Sequence, residues 1–288
     1  MQSENTEVEE NKQITKCLNC GTEFAGKFCP ECGQRADTKR FTIRFIFTNL
    51  LQAILSNDGG VWITLKSLFT RPGAMVIDIL NGKRKSYFSP FPMLFLTLSL
   101  YIVIFSFTGS REYKLELNEL TSKYSQSLEK VEETEAGQAK QTIIRHGLYV
   151  MSICKDHYTA VMVLTIPIYI LAARACYGRK NRKKYNWGEY CIPVVYATII
   201  VTLYRCISSI CFAFSTKLYD FLDDWSWAVT VVAFSMCFKK MLEFSIAKTI
   251  WKSLVLFVFY WMTLFMLIIV FGILYVIIFY KNFQALSS

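Results

Sequence analysis

Four cysteines near the amino terminus are the residues best suited to chemistry. Two residues lie between Cys17 and Cys20 and two between Cys29 and Cys32, and eight residues separate the pairs. Two such knuckles supply four thiolates that can close a tetrahedron around one ion. Gly21 and Gly33 follow the pairs, where a tight turn lets backbone amides approach sulfur. Zinc is the expected ion, ahead of iron, a redox dithiol pair or fortuitous spacing. Four thiolates leave no open coordination position, so this ion should hold structure and not activate water.

Other candidates are weaker. Cys154, Cys176, Cys191, Cys206, Cys211 and Cys237 lack paired spacing and read as small apolar residues in or beside helices. His146 and His157 have no nearby carboxylate pair and read as surface or interfacial residues. Arg205 lies within an apolar stretch, where a charge needs a partner, a carbonyl or water; Glu189, Asp78 or an outer Asp are the candidate partners. Arg71 to Pro90, RPGAMVIDILNGKRKSYFSP, can set Arg71, Lys83, Arg84 and Tyr87 at phosphate depth, as an anionic-ligand or lipid site. The blander reading is an amphipathic hairpin anchored by positive charge.

The elements that carry these residues are mostly apolar. The 288 residues are 53% hydrophobic, 16% aromatic and 19% charged, with mean hydropathy +0.31. That excludes a disordered chain and a disulfide scaffold, and predicts an all-α polytopic membrane protein. The expected divisions are a mobile tail (1–16), a zinc ribbon (17–34) and interfacial amphipathic helices (41–89). A transmembrane bundle (90–280) and a tail (281–288) follow. The ribbon is too short to bury a core of its own. Apolar residues from Phe41 to Leu55 recur on one helical face. Val61 to Phe69 predicts a second helix, a boundary at Arg71 before Pro72, and a third helix over Ala74 to Leu80. Asn81 and Gly82 suit a left-handed cap.

Five crossings are expected: Pro90 to Phe107, Tyr158 to Tyr177, Cys191 to Phe214, Trp225 to Phe244 and Leu254 to Tyr280. The fourth is the shortest apolar run. Lys and Arg concentrate after the second span (Arg179, Lys180, Arg182, Lys183, Lys184) and after the fourth (Lys239, Lys240, Lys248, Lys252). Those loops, and with them the ribbon, are predicted to be cytoplasmic. The loop 109–156, helical in pattern, and Thr216 to Asp224 fall outside. The net charge of +10 suits anionic lipid headgroups better than nucleic acid.

CxxCG and FCPxCGQ, then RPG, NGKR and a Tyr before Pro, resemble an uncharacterised bacterial family of zinc-ribbon membrane proteins, domain of unknown function family 3667. The resemblance covers Cys17 to Pro90 and marks Cys17, Cys20, Cys29, Cys32, Arg71, Pro72, Gly73, Gly82, Lys83, Arg84, Tyr87 and Pro90. It implies a bacterial inner (plasma) membrane location and carries no established activity. The family's Glu-His before a later span is here Glu189-Tyr190, so a role needing that His does not transfer.

The expected function is non-enzymatic: a scaffold, anchor or sensor whose ribbon contacts a protein partner through residues such as Phe24, Lys27 and Phe28. No zinc-protease helix, phosphate-binding Gly loop or nucleophile elbow occurs in the sequence. The alternative is a transporter or lipid-handling protein that contacts an anionic substrate through Arg205 and the Arg71 to Tyr87 block, with oligomerisation completing a pathway.

Overall fold

A computed structural model describes residues 14–44, 60–108, 122, 158–181 and 184–287. Most of the stretch Phe41 to Leu55, the loop 109–156 apart from Ser122, and His146, Cys154 and His157 lie outside the described residues, as does most of the amino-terminal tail.

The ribbon is a two-stranded antiparallel hairpin, β1 (Ile14–Lys16) and β2 (Glu23–Ala25), with Thr15 opposite Phe24. Period-two alternation turns Phe24 inward between two exposed neighbours. Phe24 packs with Cys17 and Cys29 as the small core, so it is no surface contact residue, whereas Phe28 is exposed.

Helices α1 (Val61–Thr70) and α2 (Pro72–Leu80) meet at Arg71, whose backbone at φ −147°, ψ 51° is not helical. The helix expected from Ala74 begins two residues earlier because Pro72 fills its first turn, where a missing N–H costs no hydrogen bond. Gly82 at φ 102° reverses the chain after α2, while Asn81 stays right-handed. A Cβ on Gly73 would lie 2.7 Å from the Met236 carbonyl oxygen. The RPG sequence therefore ends one helix, starts the next and lets it approach a crossing helix closely.

The long helices are α3 (Pro90–Thr108), α4 (Tyr158–Asn181), α5 (Trp187–Phe212), α7 (Ser226–Leu242) and α8 (Ile246–Ser287). Thr216–Asp224, read above as a loop, is a short helix, α6, bent 46° from α7. Asn186 and Glu189 form a reciprocal capping box that starts α5 four residues before the expected crossing. α8 begins before Leu254, and its backbone stays helical through Lys281 to Ser287.

By length and composition, α3, α5 and the Ile246–Leu267 part of α8 can each cross a membrane, and α6 with α7 adds a fourth candidate as a bent pair. α4 carries a shorter apolar stretch, Val163–Tyr177, among the described residues. Length and composition thus support three or four candidate crossings among the described residues.

Helix α5 is central. The apolar window is 61% buried in α5 and only 17% in α8, which is peripheral. Ile192, Val194, Tyr196 and Ile199 are fully enclosed. Stacked rings tie the helices around α5 to one another: Tyr169 of α4 lies 3.7 Å from Tyr260 of α8 and 4.9 Å from Phe234 of α7, between ring centres.

Candidate metal centre

Each knuckle is closed by the same two backbone bonds. The Cys17 amide donates to Thr22 O (2.8 Å) and the Gly21 amide to Cys17 O (2.9 Å); Cys29 to Gln34 O and Gly33 to Cys29 O repeat those distances. Gly21 and Gly33 have φ of 84° and 70°, which favours glycine over a side chain with a Cβ. The turn chemistry read from sequence is thus the chemistry that aims the sulfurs.

The four Sγ atoms lie within 4.8 Å of one another, with Cys17 to Cys32 and Cys20 to Cys29 both at 3.5 Å. A tetrahedral ion with metal–sulfur bonds near 2.3 Å requires sulfur–sulfur edges of about 3.8 Å. The donor set fits such an ion with small adjustment, and Cys17, Cys20, Cys29 and Cys32 are the residues that can hold it.

The sulfurs differ in proton affinity. The Thr22 hydroxyl, 3.3 Å away, and the Thr22 amide bring the Cys20 thiol down to about 6. Burial pushes Cys17 up, but the amides of Cys20 and Asn19 outweigh it and hold it below the ordinary value. Burial drives Cys32 up to about 11. A metal ion entering this set replaces protons, the Cys32 proton most reluctantly.

The ribbon is clasped to the loop between α2 and α3 through residues inside the knuckles. Gln34, 7% exposed, donates from Nε2 to Gly82 O (2.9 Å) and accepts at Oε1 from the amides of Arg84 (3.1 Å) and Lys85 (3.3 Å). Asn19 Oδ1 accepts from the Ser86 hydroxyl (2.9 Å) and amide (3.2 Å). A Cβ on Gly82 would meet the Leu18 side chain at 2.7 Å. Sequence reasoning missed Asn19 and Gln34, although the Gln directly after the last Cys-Gly is part of the FCPxCGQ motif.

From the ribbon the chain crosses the start of α5. Arg40 donates to both oxygens of Glu189 at 2.7 Å and to Lys184 O at 2.9 Å. The Phe41 carbonyl lies so near Gly188 that a Cβ there would be 2.6 Å away. Arg84 sits over the Phe41 ring, 3.9 Å from its centre, and donates to Lys39 O. Burial brings its guanidinium down to about 10, so it stays charged at neutral pH.

The remaining candidates divide into two places. Asp78 gathers Lys83 (3.3 Å) and the Tyr87 hydroxyl (2.9 Å), which in turn faces Arg71 at 3.5 Å. Arg84 points away from this group, into the ribbon joint. Arg205 lies 3.5 Å from Asp223, so an Asp of the Thr216–Asp224 helix, and not Glu189 or Asp78, is the partner found for it. The chain directly after the block meets α5 at Tyr196, whose hydroxyl donates to Phe88 O; Arg205 lies nine residues, about 14 Å, further along α5, so the structure does not bring it to the Arg71 to Tyr87 block.

Residues 58–102 match the model of the family described as "Protein of unknown function (DUF3667)". No curated protein and no solved structure matches the chain. The matched stretch includes the RPG turn, the clasped loop and α3 from Pro90 to residue 102. With the four-cysteine cluster ahead of it, this match supports the resemblance to that family with a zinc-ribbon-like motif.

Proposed function

We propose that this chain is an integral membrane protein of about five crossings that acts as a scaffold, anchor or sensor and not as an enzyme. Zinc in the four-cysteine ribbon fixes the membrane body's ribbon-side face, which lies in the cytoplasm of a bacterial cell, and that face meets a protein partner. The carrying observation is Gln34, whose buried amide spends both its polar atoms on the loop 82–85. A ribbon held this way is part of the membrane body's surface and not a tethered module. Basic side chains support the orientation: Arg174 lies 4.2 Å over Trp187, and Lys184 pairs with Glu243 at 2.9 Å, all at one end of the helices.

The test is Cys29→Ser in the full chain. We expect zinc to be lost, amide exchange in residues 82–86 to quicken, and insertion to persist. A partner protein that copurifies with the wild type and not with the variant supports recruitment. Full zinc content in the variant sinks the four-ligand assignment, and unchanged exchange at 82–86 sinks the organising role.

The second reading, transport or lipid handling, draws on Arg71, Lys83 and Tyr87 gathered about Asp78. It has less support because Arg205 lies at the other end of α5.

A further inference from the structure

Helix α1 is polarised the wrong way round for a helix that faces water. Its enclosed side holds Thr64, Ser67 and Leu68, while Trp62 is 82% exposed, Ile63 54% and Phe69 56%. An amphipathic helix on a soluble body buries its aromatic and branched residues and shows its hydroxyls. Here Thr64 turns inward because its hydroxyl accepts the Phe88 amide at 2.7 Å, a bond that fixes α1 to the chain just before α3.

Both ends of α1 are pinned near the ends of long apolar helices. A Cβ on Gly60, its amino-terminal cap, would lie 3.0 Å from Ser86 O and 3.4 Å from Phe88 N, beside the start of α3 at Pro90. The other end runs through Arg71 into Gly73, which lies against Met236 and Lys240 in the last two turns of α7. Ten residues span about 15 Å, half the hydrocarbon thickness. A helix of that length, held at both ends where crossings begin and finish, lies along the membrane surface.

The charge at this level is positive. Lys66, Arg71, Lys239 and Lys240 are exposed. Among nearby acids, Asp78 is occupied by Lys83 and Tyr87, and Glu243 by Lys184. Apolar side chains flanked by cations with no ion pair to an acid among the described residues suit the boundary between acyl chains and anionic headgroups.

We infer that α1 is an in-plane membrane anchor: Trp62, Ile63 and Phe69 enter the ribbon-side leaflet, and Lys66 and Arg71 select anionic phospholipid there. The inference rests on reading α3 and α7 as crossings.

The test uses the full chain in bilayers of phosphatidylcholine, alone or mixed with phosphatidylglycerol. Trp62 emission, taken as the difference between wild type and Trp62→Phe, is quenched with chain-brominated lipid or with aqueous iodide. Phospholipid retained after mild extraction is weighed for wild type and for Lys66→Gln/Arg71→Gln. We expect quenching by brominated lipid and not by iodide, and a several-fold loss of retained phosphatidylglycerol in the double variant. Iodide quenching in protein that resists carbonate extraction overturns the anchor while leaving the crossings intact, and gives the face to a protein occupant. Equal retention of the two lipids, or no change in the double variant, overturns anionic selection. Release of the protein by carbonate fails the membrane reading itself.

Discussion

Arg40 and Glu189, separated by 149 positions in sequence, meet in a two-pronged pair with both oxygens at 2.7 Å. The carboxylate is enclosed, with 4% of its side chain exposed, while the guanidinium is 63% exposed. Glu189 also accepts the Asn186 amide at 2.8 Å, so one carboxylate both caps α5 and holds the chain that leaves the ribbon.

That double duty makes the two partners unequal. Arg40→Gln removes a largely solvated charge and should cost about 1 kcal/mol. Glu189→Ala also removes the cap and should cost roughly 2–3 kcal/mol. Thermal unfolding in mild detergent, run as a double-mutant cycle, measures both; equal losses contradict this division.

Gln34→Ala leaves Gly82 O and two amides without their partner and should weaken ribbon docking by about 1–3 kcal/mol. Metal content should stay normal, since Gln34 contributes to the knuckle through its backbone carbonyl. Amide exchange at 82–86 against metal stoichiometry separates the two effects; a parallel loss of metal denies that docking and metal binding are distinct.

Metal binding should tighten as pH rises. Cys20, held near 6, gives its thiolate through the neutral range and loses it as pH falls through that value, whereas Cys32, near 11, must be stripped of its proton by the ion. Calorimetry in buffers of different ionisation enthalpy should report proton release on zinc binding. Affinity that does not change between acid and neutral pH counts against the assignment.

Gly73→Ala should lower stability by roughly 1–3 kcal/mol, because the new methyl meets a backbone oxygen that cannot rotate aside. Gly26→Ala is the control: its Cβ meets nothing within 4 Å, so only the strain of its φ of 125° remains. A melting temperature unmoved by Gly73→Ala removes the close contact between α2 and α7.

The features legible in the sequence are those written over a few residues. The knuckles follow from Cys spacing and two glycines, the break at Arg71 from Pro72, and the reversal after α2 from Gly82. Phe24 was misread because a three-residue strand gives too few positions to establish which side is inner. Asn19, Gln34 and Arg40 were not legible as docking residues, since their partners lie far along the chain and nothing local marks them. The Thr216 to Asp224 helix was hidden by its acids, which read as loop although Leu218, Phe221 and Trp225 keep helical spacing.

The contacts that join the ribbon to the body are ordered in time as well as space. Cys17 needs Cys32, 15 residues on; Gln34 needs Gly82, 48 on; Arg40 needs Glu189, 149 on. At a ribosome's pace of about 5–20 residues per second, Arg40 waits roughly 7–30 s for its carboxylate. The knuckles can load and the loop can close long before the third long helix of the bundle is made. The order of synthesis therefore lets the ribbon and its clasp be complete before Glu189 exists, and leaves the pair with Arg40 as the last of these three contacts that can form.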